Sequence, residues 1–337
     1  SFTLDETGSA GYTVNSDGPI TNFPATSKLQ PQLVQYTTLP STSNVVNLFS
    51  PSSGLWASDT TGNASDVLTG VPATFKLSVP VTSTPLLVMG GAVLSQRNYV
   101  ITEGFNDASG VACNVAPRSA SAAGEADAIE ISTYTVSARL PLGKCPVYAV
   151  QSPDSRRLFV LNRGDDTVTV INSQNNTLDA CTPFLNQDGQ LVTCHPSLPL
   201  STSAGLAGPN APAIAGPVYA EYNPATQQLV VADYDGNAVS VIDVSLDVYG
   251  NDSPTFGTTF SIPVGTNPAS VTVLNDGSRA YTANQADGTV SVVNLASHAL
   301  VKTLPVNGHP RTVVSTQNSI YGKVYAASPD SPYLTII

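Results

Sequence analysis

Asn267–Gly308 reads NPASVTVLNDGSRAYTANQADGTVSVVNLASHALVKTLPVNG. Four short apolar alternations, SVTVL, AYTA, TVSVVN and ALVKTLPV, are separated by Asn275-Asp276-Gly277, Asp287-Gly288 and Ala296-Ser297-His298. Period-two alternation sends successive side chains to opposite faces of an extended strand. An Asx-Gly pair supplies the positive φ that a tight hairpin turn requires. The spacing predicts one four-stranded antiparallel repeat.

The marks of this stretch recur along the chain. An aromatic or branched residue followed three positions later by Asn, Asp, Ser or Thr stands at Tyr12–Asn15, Trp56–Asp59, Tyr99–Thr102, Phe159–Asn162, Val230–Asp233, Tyr281–Asn284 and Tyr325–Ser328. In three copies a Val lies six residues beyond the polar position (Val168, Val239, Val290) and opens a V-x-V-[IV] strand. A proline lies thirteen residues before the aromatic or branched position in the same three, at Pro146, Pro217 and Pro268. Successive copies are 44, 43, 60, 71, 51 and 44 residues apart. A bare four-stranded propeller blade repeats every ~40–50 residues, so the longer intervals carry insertions.

One such sheet cannot bury both faces alone, and packing sheets radially does so while leaving only short edges. The expectation is an all-β fold: a single domain, residues 1–337, forming a seven-bladed β-propeller of four-stranded antiparallel blades. Blade boundaries fall near 1–40, 41–82, 83–143, 144–215, 216–265, 266–308 and 309–337. Ser1–Asn15 aligns without a gap to Ser270–Asn284, which puts Ser1 inside an innermost strand. The last repeat stops after its third strand, so the last blade is expected to be one strand short. Tyr333, Leu334, Thr335, Ile336 and Ile337 would then form an open edge, a template for pairing with another chain.

Composition narrows the function classes. The 337 residues carry 13 basic against 24 acidic side chains, a net charge of −11. That field repels phosphate backbones, so no nucleic-acid partner is expected. No apolar run approaches the ~20 residues that span a bilayer, so no transmembrane segment is expected in this chain. Cys113, Cys145, Cys181 and Cys194 form an even set without metal-ligand spacing, in a chain rich in Ser and Thr. This predicts two disulfides and an extracytoplasmic setting: secreted, periplasmic or at the cell surface. Gly104–Ala126 reads as an insertion between a second and third strand and holds Cys113, while Cys145 opens the fourth blade. Thr182–Ala215 reads as the connection to the fifth blade, with Cys181 beside it and Cys194 inside it. The expected pairs are Cys113–Cys145 and Cys181–Cys194.

Candidate chemistry is sparse. Asp233-Tyr234-Asp235-Gly236-Asn237 starts like a calcium loop but lacks the closing bidentate Glu, and reads as a hairpin turn. Asp165-Asp166 reads as a solvated hairpin tip. His195 follows Cys194, yet no Cys at 191 completes a haem-attachment motif. No G-x-S-x-G elbow is present. No metal and no cofactor are expected. Lys144, Asn267, His309 and Arg311 fall where innermost strands begin, so they would ring a channel mouth and suit an anion or a partner carboxylate.

GKCPVYAVQSPDSRRLFVLNRGDDTVTVINSQNNTL and VGTNPASVTVLNDGSRAYTANQADGTVSVVNLASHALVKTLPVNGHP resemble YVTN-type propeller repeats. That pattern has a Gly-x-x-Pro lead-in, a Pro-Asp-Gly turn, a Tyr-Val-x-Asn strand and a Val-Ser-Val-Ile-Asp strand. Here the third motif appears as Phe159-Val160-Leu161-Asn162 and Tyr281-Thr282-Ala283-Asn284, and the fourth as Val239-Ser240-Val241-Ile242-Asp243. The resemblance is strong over 144–327 and weaker over 1–143. It implies a secreted, surface or lipid-anchored bacterial propeller, similar to surface-layer and envelope proteins. The expected function is a non-enzymatic binding or scaffold protein with a protein or surface partner; self-association through the terminal edge is a narrower version. The rival expectation is a propeller hydrolase of the lactonase type, with its site at the channel mouth.

Overall fold

A computed structural model describes residues 2–4, 10–14, 20–24, 35–37, 45–49, 54–70, 73–90, 97–103, 122–316 and 322–337. All regular structure among them is extended, with no helix. Strands join their sequence neighbours in antiparallel sheets. Four-stranded sheets cover 2–37, 45–80 and 85–144, then 217–263 and 268–305, and a three-stranded sheet covers 312–336. The sheet that begins at Pro146 has four strands in order and a fifth segment, Ser197–Pro199, paired to its third strand. Cys113 and the rest of 104–121, with Ser1 and Asn15, lie outside the described residues.

The chain divides into two compact units. The first holds 1–146, 154–158 and 173–176; the second holds 147–153, 159–172 and 177–337. In the first, the strand Leu55–Asp59 is buried along its whole length. Its alternate residues serve two cores. Leu55 and Ala57 pack with Val45, Leu48, Leu68 and Ala73. Trp56 packs with Val67, Val79, Val81, Val100 and Ile129.

The second unit repeats this logic. Leu229 and Val231 face Phe159, Leu161, Val168 and Val170. Val230 and Ala232 face Val271, Val273, Ala280 and Val293. Tyr281, Ala283, Val290 and Val292 then face Val313, Val324 and Ala326. A sheet covered on both faces needs apolar side chains at odd and even positions alike, which is why QLVVAD carries Leu229, Val230, Val231 and Ala232 in unbroken succession. Each fully buried Val, Leu or Phe contributes roughly 1.5–3 kcal/mol.

Innermost strands of consecutive sheets lie side by side in this unit, Pro217–Asn223 against Pro268–Val273 and the latter against Thr312–Ser315. Ser270 Oγ accepts the Val313 N–H at 2.8 Å, and Thr272 Oγ1 accepts the Ser315 N–H at 3.1 Å. The prolines picked out by the repeat share one backbone device. Cys145, Gly216 and Asn267, each just before a proline, adopt φ of 52°, 59° and 54°. The strands that follow Gly216 and Asn267 start with a register shift. Gly216 accommodates this without strain, and a Cβ there would fall 2.0 Å from Asp235 Oδ2.

The Cys181–Cys194 disulfide is present, with Cα atoms 5.5 Å apart. Its place in the fold differs from the expected connection between blades. Thr177–Leu178 pairs with Ile171–Asn172, and Ser197–Pro199 pairs with Thr167–Thr169 on the same strand. Between them Asp179 N donates to Val170 O at 2.9 Å, and Val170 N donates to Pro196 O at 3.0 Å. The excursion therefore leaves the outermost strand and returns to the same point, with the disulfide across its neck. Leu198 and Leu200 return with it into the core. Cys145 is buried and is not a free thiol; its expected partner Cys113 is outside the described residues.

Candidate functional site

In three sheets the polar residue that ends the second strand, Asn162, Asp233 or Asn284, is a buried latch. Asn284 Nδ2 donates to Thr289 Oγ1 at 3.0 Å and to Ser291 Oγ at 2.8 Å, while its Oδ1 accepts from Thr282 Oγ1 at 2.9 Å. Asn162 Nδ2 donates to Thr167 Oγ1 at 3.1 Å and Thr169 Oγ1 at 2.8 Å. Asp233 Oδ2 accepts from Ser240 Oγ at 2.7 Å. All three side chains are fully buried. Burial, reinforced by the nearby Asp166 and opposed by the bond from Ser240, pushes the Asp233 carboxyl well above the usual carboxylate range.

Just beyond the latch, the turns of neighbouring sheets interlock. Arg163 forms a bidentate ion pair with Asp235, Nη2 lying 3.1 Å from both carboxylate oxygens and Nε 3.2 Å from Oδ2. Its guanidinium lies 5.1 Å from the centre of the Tyr234 ring, and Tyr234 donates its hydroxyl to Gln285 Oε1 at 3.2 Å. Arg163, Tyr234 and Gln285 each stand one residue after a latch. That shared offset is the sequence signal that could have found them. Asp166, expected as a solvated tip, is buried; its Oδ1 accepts the Gly216 N–H at 2.8 Å. A buried acceptor needs a donor, and the lead-in to the next sheet supplies one.

Asn267 is held by its surroundings. Its Nδ2 donates to Tyr234 O at 3.0 Å, and its N–H donates to Asn237 Oδ1 at 2.9 Å. His309 N–H donates to Asp330 Oδ1 at 2.8 Å, and its Nδ1 lies 2.5 Å from Asp330 Oδ2. These bonds from His309 hold the Asp330 carboxyl below its usual range. Arg311 is exposed, and its N–H donates to Ala327 O at 3.0 Å. Asn267, His309 and Arg311 share no hydrogen bond or ion pair with one another among the described residues. Lys144 belongs to the first unit, at the end of the strand Thr135–Lys144. No group of three or more His, Cys, Asp or Glu among the described residues is placed to hold a metal ion.

At the terminal edge, Thr335 pairs with Ala326 and Ile336 with Tyr325. Ile337 exchanges backbone hydrogen bonds with Val324. Tyr333, Leu334 and Ile336 are exposed.

No protein-family model matches the sequence, and no curated protein matches it significantly. Solved structures do resemble the fold. Hydrazine synthase of Kuenenia stuttgartiensis aligns over 100% of this chain and 94% of its own, with TM-score 0.56 and 14% identity. The β-propeller domain of Myceliophteria thermophila Cps50 (Swd1) aligns over 100% and 95%, with TM-score 0.61 and 10% identity. Dihydro-heme d1 dehydrogenase NirN aligns over 89% of this chain, with TM-score 0.55 and 13% identity; the match spans 54% of the NirN chain. At such identities the likeness speaks to fold and not to chemistry. The chain is an all-β protein of antiparallel sheets, similar in structure to β-propellers.

Proposed function

We propose that the chain is a non-enzymatic extracytoplasmic binding scaffold, a seven-bladed propeller of YVTN type forming a single domain over 1–337. The Cys181–Cys194 clip carries this reading. A disulfide persists in an oxidising compartment, and this one rigidifies a loop that projects from an otherwise repetitive frame. Protease shaving of intact source cells tests it. Cleavage of the chain before lysis is the expected result, and protection until the cytoplasm is opened overturns the reading. Self-association through Tyr333–Ile337 is the narrower form. Thr335–Ile336 has a strand neighbour on one side among the described residues, and Ile336 is exposed. Light scattering on the full-length protein should show concentration-dependent dimers; a strict monomer removes this form alone.

A second reading, a lactonase-type hydrolase, is favoured by the His309–Asp330 pair, whose carboxylate would orient the imidazole as a general base. Arg311, exposed two residues beyond His309, would then bind an anionic substrate. Lactone hydrolysis that disappears in His309→Ala supports this reading. Turnover equal in wild type and variant removes it.

A further inference from the structure

The excursion from the outermost strand is a folded element. Phe184–Leu185 pairs with Leu191–Val192 as a small hairpin. Its turn is closed by Asn186 Oδ1, which accepts the N–H groups of Asp188 at 3.0 Å and Gln190 at 2.9 Å. A second loop, 245–257, follows the strand Ala238–Asp243 and is shaped in the same way. Asp247 Oδ1 accepts the N–H groups of Tyr249 and Asn251, each at 2.9 Å.

The two loops hold each other. Asn186 Nδ2 donates to Asp247 Oδ2 at 3.3 Å, and Tyr249 donates its hydroxyl to Asp188 Oδ1 at 3.2 Å. Nearer the neck, His195 Nδ1 lies 2.8 Å from Asp252 Oδ2, and the imidazole stacks on Phe256 with centroids 5.3 Å apart. A disulfide, two Asx-closed turns and four cross-loop contacts make a rigid pair.

What this pair displays is apolar. Leu185 and Leu191, opposite each other on one face of the hairpin, are 67% and 61% exposed, and Val248 is 87% exposed. Tyr249, next to Val248 in sequence, is exposed as well; Phe184 and its partner Val192 occupy the other face of the hairpin, where Val192 is buried. Exposed aliphatic side chains on a pre-organised platform mark a docking surface, and the Asn186–Asp247 and Tyr249–Asp188 bonds tie together the two loops that carry them.

Charge selects the partner. There is no Lys or Arg anywhere between Arg163 and Arg279, while Asp179, Asp188, Asp247 and Asp252 lie in the two loops. Burial works against the charge on Asp247, but hydrogen bonds from Asn251, Asn186 and the Tyr249 N–H outweigh it and hold the carboxyl below its usual range. The apolar patch thus sits in a negative field that repels anionic headgroups and acidic proteins. We propose that the loops 179–196 and 245–257 form a docking platform for a cationic protein segment, with aliphatic or aromatic side chains flanked by Lys or Arg. This rests on the binding-scaffold reading and names the kind of partner.

The test uses three synthetic peptides of equal length, alternating Leu with Lys, Leu with Glu, or Ser with Lys. Binding is read by fluorescence anisotropy on the oxidised full chain and on Leu185→Ser/Leu191→Ser/Val248→Ser. These side chains are exposed, so the variant should keep its fold, which circular dichroism checks. The Leu/Lys peptide is expected to bind wild type and to lose about tenfold in affinity on the variant. The Leu/Glu peptide should not bind, and the Ser/Lys peptide should bind equally weakly to both proteins. Three outcomes overturn the proposal: equal binding of the Leu/Lys peptide by both proteins, preference for the Leu/Glu peptide, or variant-sensitive binding confined to phosphatidylserine vesicles or to a second copy of the chain. Failure here with surface shaving still positive removes the partner assignment and leaves the scaffold reading standing.

Discussion

Asn284 and Asp233 end equivalent strands in adjacent sheets and close the same latch unequally. Around Asn284 the third strand offers two hydroxyls and Thr282 a third, so the amide makes three bonds. Around Asp233 the corresponding positions are Val231, Ala238 and Ser240. One hydroxyl remains, and Oδ1 is buried without a partner. Asn162 falls between. It keeps both bonds to Thr167 and Thr169, but Val160 stands where Thr282 would donate, and its Oδ1 has no partner. The three latches teach that the repeat requires a buried polar group at this point, while its partners are set by local sequence. A carboxylate without its hydroxyls stays buried only by favouring the neutral form.

Asn284→Ala is the most damaging single change to the latches. Three hydroxyls, two of them buried, lose their partner at once, and the expected loss of stability is about 3–4 kcal/mol in urea denaturation. Next comes Cys181→Ser/Cys194→Ser, which leaves the latches intact but opens the neck of the fourth sheet's outermost strand. With a sequence separation of 13, chain entropy predicts a loss of about 3 kcal/mol. The same variant should release hydrogen-exchange protection at Leu198 and Leu200 while leaving 268–305 unchanged.

Asp233→Asn gives the fifth sheet the amide its neighbours have. A stability gain of about 1–3 kcal/mol at pH 7 is expected from removing a buried acceptor whose charge has no partner. The sign follows from linkage. The folded pKa lies above the unfolded value, so the wild type has its full stability below the ordinary carboxyl value of 3.8 and loses it as pH rises through the folded pKa. Asp233→Asn should match wild type near that lower limit and pull ahead as pH rises. A constant difference across the range contradicts the assignment. Smallest is Thr282→Val, which turns the complete latch into the one seen at Asn162. It should cost about 1 kcal/mol in thermal or urea denaturation.

The sequence carries these sheets plainly because period-two alternation and Asx-Gly turns are local signals. QLVVAD, RAYTAN and the prolines at 146, 217 and 268 announce strands and lead-ins without reference to anything distant. The interrupted strand was not legible. Thr177–Leu178 and Ser197–Pro199 are too short for alternation to register, and only the tertiary pairing with Thr167–Asn172 makes them one edge. Asp166 resembles any turn residue until the Gly216 N–H finds it. Arg163 and Asp235 meet across two turns distant in sequence, so their pairing follows from how the sheets are placed. The lead-in residues Asn267 and His309 were legible by position but not by task; Asn267 is bonded to neighbouring turns and His309 to Asp330.

The extracytoplasmic scaffold we propose requires the Cys181–Cys194 clip to be closed in living cells. Thiol trapping in source cells tests it most directly: acid quench, alkylation of free thiols, then reduction and a second, mass-shifted alkylation before peptide mapping. The account predicts that Cys181 and Cys194 carry only the second label, as a bonded pair in living cells. First-label modification of both cysteines would mean a reduced neck in a reducing compartment, and would contradict it.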